Sequence, residues 1–519
     1  MGWAWNMNLK RRDKPSWFSI YPLHPFIFAL YPILALLVFN LSEVSISAGY
    51  RSLFVSLSAA AILLLIFWLI LNDWKRAALI STIILVLFYS YGHVYILLKG
   101  ININGFYLFR HRTLIPIWMG LGLFSAWQAF RKHIDLSAVT YTLNIVGLFL
   151  LIFPLFQLAA LSLQNKVSRA EAEKSASALS LRVENEPPDI YYIILDGYGR
   201  SDVLKNEYGY DNSDFLNALR DLGFYVADCS QSNYAQTQLS LSSSLNFNYI
   251  DDLTDRFTSG TDDRAGLDVL IKHSAVRESL EKAGYKTVAF ATGFIATELT
   301  DADYYLAPQR SLGNLNEFEY LLIETTFARL IQDTNGLDVQ NSGSELFRER
   351  TLFALDKLDK LSYIKEPKFV FVHLIVPHPP YVFGPTGGAI SPKEAGTTRS
   401  EQEGLHYRDQ VTYISSRMME IIPKIIANST RSPIIVIQGD HGPTIPSGPQ
   451  ERMRNLSVYY LPGVDAPLYS TITPVNTFRM IFNTYFGQNL PFLDDISLHS
   501  NYDDPFSYKM IPNKCELNP

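Results

Sequence analysis

Asp189-Ile-Tyr-Tyr-Ile-Ile-Leu-Asp196-Gly-Tyr-Gly-Arg200 is the stretch on which the fold reading turns. Its unbroken apolar run, Ile190–Leu195, predicts a central strand covered on both faces. Asp196 then falls at the carboxyl end of that strand. Open α/β sheets build their sites at this edge, where strands give way to loops and helix starts. Gly197 and Gly199 let the backbone turn and pass close to a ligand. A carboxylate held there is placed to bind a metal ion, although a plain strand ending in an Asp-Gly turn reads the same way.

Working outward, the 519 residues exceed one ordinary domain, and a net charge of −6 gives no reason to expect nucleic acid. Two cysteines, Cys229 and Cys515, exclude a disulfide-rich scaffold and a four-cysteine zinc site. They could bridge in an oxidising compartment, but sequence shows no proximity, and free thiols are the expectation.

The first third is membrane-like. Apolar runs near Pro25–Leu41, Leu53–Leu71, Ala77–Leu98, Leu114–Phe130 and Ala138–Leu163 carry no Lys, Arg, Asp or Glu. Each approaches the roughly 20 residues that cross a bilayer. Five spans would put Lys10, Arg11, Arg12 and Lys14, then Lys75 and Arg76, then Arg131 and Lys132 on one side, the cytoplasm. Everything after residue 165 would then face outward. The loop Lys99–Arg112 reads as an interfacial aromatic and basic anchor, or else as a contact for anionic lipid headgroups. The predicted organisation is a membrane domain over 1–164, a linker over 165–188 and an α/β domain over 189–519.

In that last part, strand-like runs at Lys286–Phe290, Lys368–Val376 and Pro433–Gln438 alternate with amphipathic helical ones, including Arg408–Asn428. Thr386–Glu403 reads as a loop. Three further stretches carry chemistry. Asn233–Asn246 is rich in hydroxyls; one at a helix start would sit near the dipole's positive end, suited to a phosphate, and metal coordination would activate it. Val372-His373-Leu-Ile-Val-Pro377-His378 presents two histidines at a strand end, the second on a proline-stiffened loop. Gly439-Asp440-His441-Gly442 closes another buried strand with ordinary ligands for zinc or manganese.

These four stretches, in this order, resemble the alkaline phosphatase superfamily over roughly residues 189–500. With the spans ahead of them, they resemble its membrane-anchored, sulfatase-like branch, to which lipoteichoic acid synthases and lipid A phosphoethanolamine transferases belong. The resemblance implies a mixed sheet between helices. It implies one divalent metal, manganese or zinc first and magnesium after them, on Asp196, Thr237, Asp440 and His441. Thr237 would be the nucleophile, with Ser240 and Ser242 also open. His378 would act near the headgroup, while His373 and Arg200 are further substrate-binding candidates. Two departures stand out: Asp196 replaces the glutamate usual in those transferases, and the Cys/Ser-x-Pro-x-Arg sequence of sulfatases is missing around Thr237, which argues against sulfate ester hydrolysis.

The function expected is a phosphotransferase of the cytoplasmic membrane, N-terminus inside and catalytic domain outside. It would move a phospho-headgroup from a phospholipid, through phospho-Thr237, to a glycan or lipid hydroxyl. A membrane-bound phosphodiesterase or phosphatase, with water as acceptor, would use the same residues. An inactive scaffold or receptor that kept the fold is the alternative from another class.

Overall fold

The computed structural model describes residues 17–515 apart from 42–43, 104–105, 132–134, 176–177, 184–185, 254–256, 261–263, 265, 310–314, 336–338, 391–399 and 445–447. The basic head Lys10, Arg11, Arg12 and Lys14, together with Lys132 and residues 391–399 of the expected Thr386–Glu403 loop, lies outside the described residues, while residues 400–403 of that expected loop instead begin the helix Ser400–Asn428. The chain divides into two compact units. One comprises Met1–Ser162 and Gly313–Val339; the other comprises Leu163–Leu312 and Gln340–Pro519.

The first unit is helical. Helices stand at all five apolar runs: His24–Phe39, Tyr50–Leu71, Trp74–Leu98, His111–Ala129 and Leu136–Ser175. Three segments among the described residues are long and apolar enough to cross a membrane: Ile46–Leu71, Trp74–Leu98 and Leu136–Leu163. His24–Phe39 has only 16 residues, and His111–Ala129 carries Arg112 and Gln128. Large apolar side chains such as Phe39, Leu69, Leu97, Leu123, Phe149 and Phe156 point outward. Water would penalise each Å² of that surface by about 25 cal/mol, whereas hydrocarbon would not.

Polar groups tie this unit together from within. The Asn144 side chain accepts from Leu23 N and His24 N at 3.0 and 2.8 Å, capping a helix start that has no cap of its own. The excursion Gly313–Val339 is seated here by Phe318, fully buried with Ile33, Leu37 and Val44. Arg51 pairs with Glu319, and Phe327 N donates to Phe88 O at 2.8 Å. Gly92 admits this backbone, because a Cβ there would stand 2.3 Å from Glu324 O. His111, from the Lys99–Arg112 loop, is held between Tyr91 Oη at 2.7 Å and Asp333 at 2.8 Å.

The second unit is a seven-stranded mixed sheet with helices on both faces, the class the sequence implied. Its strands are β1 (Ile190–Leu195), β2 (Tyr225–Val226), β3 (Lys286–Phe290), β4 (Tyr304–Leu306), β5 (Lys368–Leu374), β6 (Ile434–Gln438) and β7 (Ser457–Tyr460). The order is β2-β7-β6-β1-β5-β3-β4. Within it β6, β1, β5, β3 and β4 run parallel, and β7 is antiparallel to both its neighbours.

Alternate residues of a strand face opposite sides, and burial on both sides explains why β1 reads as an unbroken apolar run. Tyr191, Ile193 and Leu195 of β1 enter one core with Val370, Val372, Ile435 and Ile437, against Val411, Ile414, Met418 and Ile421 of helix Ser400–Asn428. Ile190, Tyr192 and Ile194 enter the other with Phe369, Phe371 and Val436, against Phe478, Ile481 and Phe482 of helix Pro474–Tyr485. Both faces are dry, so alternation disappears from the sequence.

Cys229 and Cys515, expected as free thiols, form a disulfide with Cα atoms 5.5 Å apart. The chain's end returns to β2's exit, where Asn513 Nδ2 also donates to Cys229 O at 2.8 Å. A separation of 286 residues hid this from sequence. Such bonds belong to oxidising compartments. Replacing both cysteines by alanine is expected to cost about 2–5 kcal/mol. Thermal melts of the detergent-purified protein would check this, and an unchanged midpoint would refute it.

Candidate active site

Strand order alone brings the motifs to one place. Strands β6, β1 and β5 are parallel neighbours, with Ile194 opposite both His373 and Gln438. Their carboxyl ends therefore deliver Asp440-His441, Asp196 and His373 to a single edge. Antiparallel β7 begins at that same edge, Ser457 lying opposite Gln438, so the residues just before it arrive there too. Strand β2 also ends toward this edge and leads to the helix Thr237–Leu245.

Asp440 is oriented by the backbone. Its Oδ1 accepts from Gly197 N at 2.9 Å and from His441 N at 3.0 Å. Gly197 reaches it with φ +70°, a conformation that glycine adopts without steric cost. Gly439 and Gly442 are not required for a left-handed backbone, since neither has positive φ. A Cβ on Gly439 would lie 2.4 Å from Tyr198 O, and one on Gly442 would lie 2.3 Å from Glu451 O. They are glycines because backbones cross there. Gly442→Ala is expected to destabilise by about 1–3 kcal/mol or more through overpacking, read as a lowered melting midpoint.

His441 is set by its partners. Nδ1 lies 2.9 Å from Gly442 O, which only accepts, so Nδ1 carries the proton. Nε2 then presents a bare lone pair. Burial, followed by the Arg452 guanidinium beside it, pulls the imidazole down to about 4. The ring is therefore neutral at neutral pH and ready to ligate. Around Nε2 lie Asp440 Oδ2 at 3.3 Å and Asp196 Oδ1 at 3.7 Å. Burial pushes the Asp196 carboxyl up, but His378, His373 and His441 outweigh it and hold the group below the usual carboxylate range.

Asp196 Oδ1 and Asp440 Oδ2 are buried and have no hydrogen-bond partner among the described residues. Two anionic oxygens and a nitrogen lone pair thus face one another, offering one ligand atom each within 4.8 Å. Burying such a set unneutralised is costly. A divalent cation fits it, and an O,O,N donor set suits zinc or manganese.

Thr237 is the first residue of its helix, and its Oγ1 lies 3.2 Å from His441 Nε2. The other two hydroxyls face elsewhere. Ser240 is buried and donates to Asp440 O at 2.6 Å, and Ser242 donates to Leu267 O at 3.1 Å. His373 hydrogen-bonds Thr297 Oγ1 at 2.9 Å from Nδ1, and its Nε2 lies 3.3 Å from Asp196 Oδ2. His378 is half-buried. Its Nδ1 donates to Pro379 O at 2.8 Å, Nε2 has no hydrogen bond among the described residues, and its ring centre is 6.3 Å from that of His441.

Arg200 is not a free cation for substrate. Its guanidinium holds Asp202 through two 2.8 Å bonds and Ser230 O through a third, clamping the loop after β1. The cation at the cluster is Arg452, which sequence reading passed over. Its Nη2 lies 3.0 Å from His441 Nε2, and its remaining donors go to Ala235 O, Gly442 O and Thr444. Arg452 lies in the short helix Pro449–Met453, between the Asp-His pair and β7, where no local pattern marked it for the site. Tyr407 was missed as well; its hydroxyl donates to Gly197 O at 2.8 Å and accepts from Gly199 N at 3.0 Å, bracing the turn.

No protein-family model matches the sequence, and no curated protein does. Solved structures do. The C-terminal periplasmic domain of EcEptC from Escherichia coli, in complex with Zn, is 14% identical with a TM-score of 0.42, over 63% of this chain and 93% of that one. The integral membrane lipooligosaccharide phosphoethanolamine transferase A (EptA) from Neisseria meningitidis is 13% identical with a TM-score of 0.34, over 85% and 88%. An alkaline phosphatase superfamily protein from Vibrio parahaemolyticus is 10% identical with a TM-score of 0.38, over 65% and 82%. At these values, function has to be read from the residues of the site.

Proposed function

We propose that the protein is a metal-dependent phosphotransferase of a membrane. It would take a phospho-headgroup from a phospholipid through phospho-Thr237 and pass it to an extracytoplasmic glycan or lipid hydroxyl. The observation that carries this reading is the meeting of Thr237 Oγ1, at a helix start, with the oriented ligand atoms of Asp196, Asp440 and His441.

A divalent ion on those ligands would stabilise phosphoryl charge and lower the pKa of the Thr237 hydroxyl. The helix start adds free N–H groups and a positive dipole end for a phosphate oxygen. In the first step Oγ1 of Thr237 bonds to phosphorus, and the bond from phosphorus to the diacylglycerol oxygen breaks. The proton lost by Thr237 ends on the released diacylglycerol. In the second step the acceptor oxygen bonds to phosphorus, the bond from phosphorus to Oγ1 breaks, and the acceptor's proton passes to Oγ1 to restore the Thr237 hydroxyl. Nε2 of His378, the free nitrogen of that ring, is the group assigned to carry the proton in each direction.

The helical unit supports a donor that stays in the bilayer. The Cys229–Cys515 disulfide supports a catalytic unit on the oxidising side, with the N-terminus inside. The test is intact mass of the detergent-purified protein after incubation with mixed phospholipids and Zn²⁺ or Mn²⁺. A headgroup-phosphate adduct with released diacylglycerol is expected, and the added mass names the donor. Free phospho-headgroup without an adduct or a transfer product would make water the acceptor. Absence of bound metal would remove the reading.

A further inference from the structure

Arg452 and a metal ion cannot both hold His441. The ring has one lone pair at Nε2, because Nδ1–H is committed to Gly442 O at 2.9 Å. Arg452 Nη2 donates into that lone pair from 3.0 Å. The rest of the guanidinium is fixed: Nε on Ala235 O at 2.9 Å, Nη1 on Gly442 O at 3.1 Å and on Thr444 Oγ1 at 2.7 Å. Both backbone carbonyls belong to the loops that frame the site. Arg452 is thus anchored by three bonds and has one end in the place a metal would need.

We propose that Arg452 is an exchange residue that makes binding ordered, metal first and phosphate second. In the metal-free protein its Nη2 caps His441 Nε2 and places one positive charge beside Asp196 and Asp440. Once a divalent ion takes that lone pair, Nη2 loses its acceptor while the guanidinium stays anchored next to Thr237. It then donates to an anionic phosphoryl oxygen arriving at Oγ1. Arginine suits this role because its fork can keep three bonds while a fourth changes partner. The proposal rests on the metal-site reading above and adds to it a coupling between metal loading and phosphate affinity.

The test uses the full-length detergent-purified protein, Zn²⁺ and inorganic phosphate, with wild type, Arg452→Gln and Arg452→Lys. Zn²⁺ binding is measured by calorimetry, and phosphate binding by the shift in melting midpoint with and without Zn²⁺. Wild type should gain stability from phosphate only when Zn²⁺ is present. Arg452→Gln should bind Zn²⁺ about tenfold more tightly, since a charge-assisted bond no longer competes for the lone pair, and should lose phosphate stabilisation. Arg452→Lys keeps the charge without the fork and should fall between the two in both readouts. Melting midpoints without ligand show that each variant is folded. Equal Zn²⁺ affinity in all three folded proteins, or phosphate binding by metal-free wild type equal to that with Zn²⁺, would overturn the exchange while leaving the metal site standing. Failure of wild type to bind Zn²⁺ would overturn the metal site and the exchange with it.

Discussion

Thr237→Ala is expected to leave a folded, metal-binding protein that forms no headgroup adduct. Transfer should fall by a factor on the order of 10⁴ or more, as removal of a covalent nucleophile does in other enzymes. The site explains why no neighbour substitutes. Ser240 and Ser242 are buried and spend their hydroxyl protons on backbone carbonyls. Thr237 spends its hydroxyl on no backbone group and contacts His441 Nε2 alone among the described residues. Thr237→Ser keeps the oxygen at the same position and should retain transfer, whereas alanine should not. Diacylglycerol release from radiolabelled lipid, beside intact mass, reads both. Wild-type rates in the alanine variant would mean that another residue is the nucleophile.

Asp440→Asn should have the second largest effect, and its contrast with Asp440→Ala is informative. Oδ1 of Asp440 accepts two backbone N–H bonds, while Oδ2 is the oxygen turned toward His441 and Asp196. Asparagine keeps the first and replaces the anionic oxygen of the second by a neutral group. Outer partners of metal ligands are worth roughly 10–100-fold in affinity, so loss of the ligand charge itself should cost about 100-fold or more. The melting midpoint without metal should hardly move. Alanine removes the acceptor too and leaves Gly197 N and His441 N unsatisfied, at about 1–3 kcal/mol each. Its midpoint should therefore fall as well. Undiminished zinc content in Asp440→Asn would show that this cluster is not where the ion sits.

Sequence carried the parts of the site that adjoin the central strands. Asp196 and the Asp440-His441 pair each follow a buried run by one or two residues, so strand ends and parallel order bring them together. Thr237 was legible as a hydroxyl at a helix start, but its distinction from Ser240 and Ser242 was not, because it depends on which way each faces. Arg200 misled because its charge was read without Asp202 two residues on, which takes both ends of its fork. Arg452 was hidden because it reaches the edge through the start of antiparallel β7, a relation that no local pattern encodes. The disulfide was hidden by distance along the chain. The excursion Gly313–Val339 escaped notice for a related reason: Glu317–Thr325 reads as an ordinary amphipathic helix, and nothing local says that Phe318 is buried with Ile33 and Leu37.

That excursion also sets a timetable for synthesis. Asp196 and Thr237 leave the ribosome before residues 313–339, while His373, His378, Asp440, His441 and Arg452 leave after them. Strands β5 and β6, the two direct partners of β1, are likewise made only on the chain's return. A nascent chain stopped at residue 339 holds a carboxylate and a nucleophile but neither the Asp-His pair nor the flanks of its central strand. The full ligand set is thus synthesised only after the segment that belongs to the helical unit.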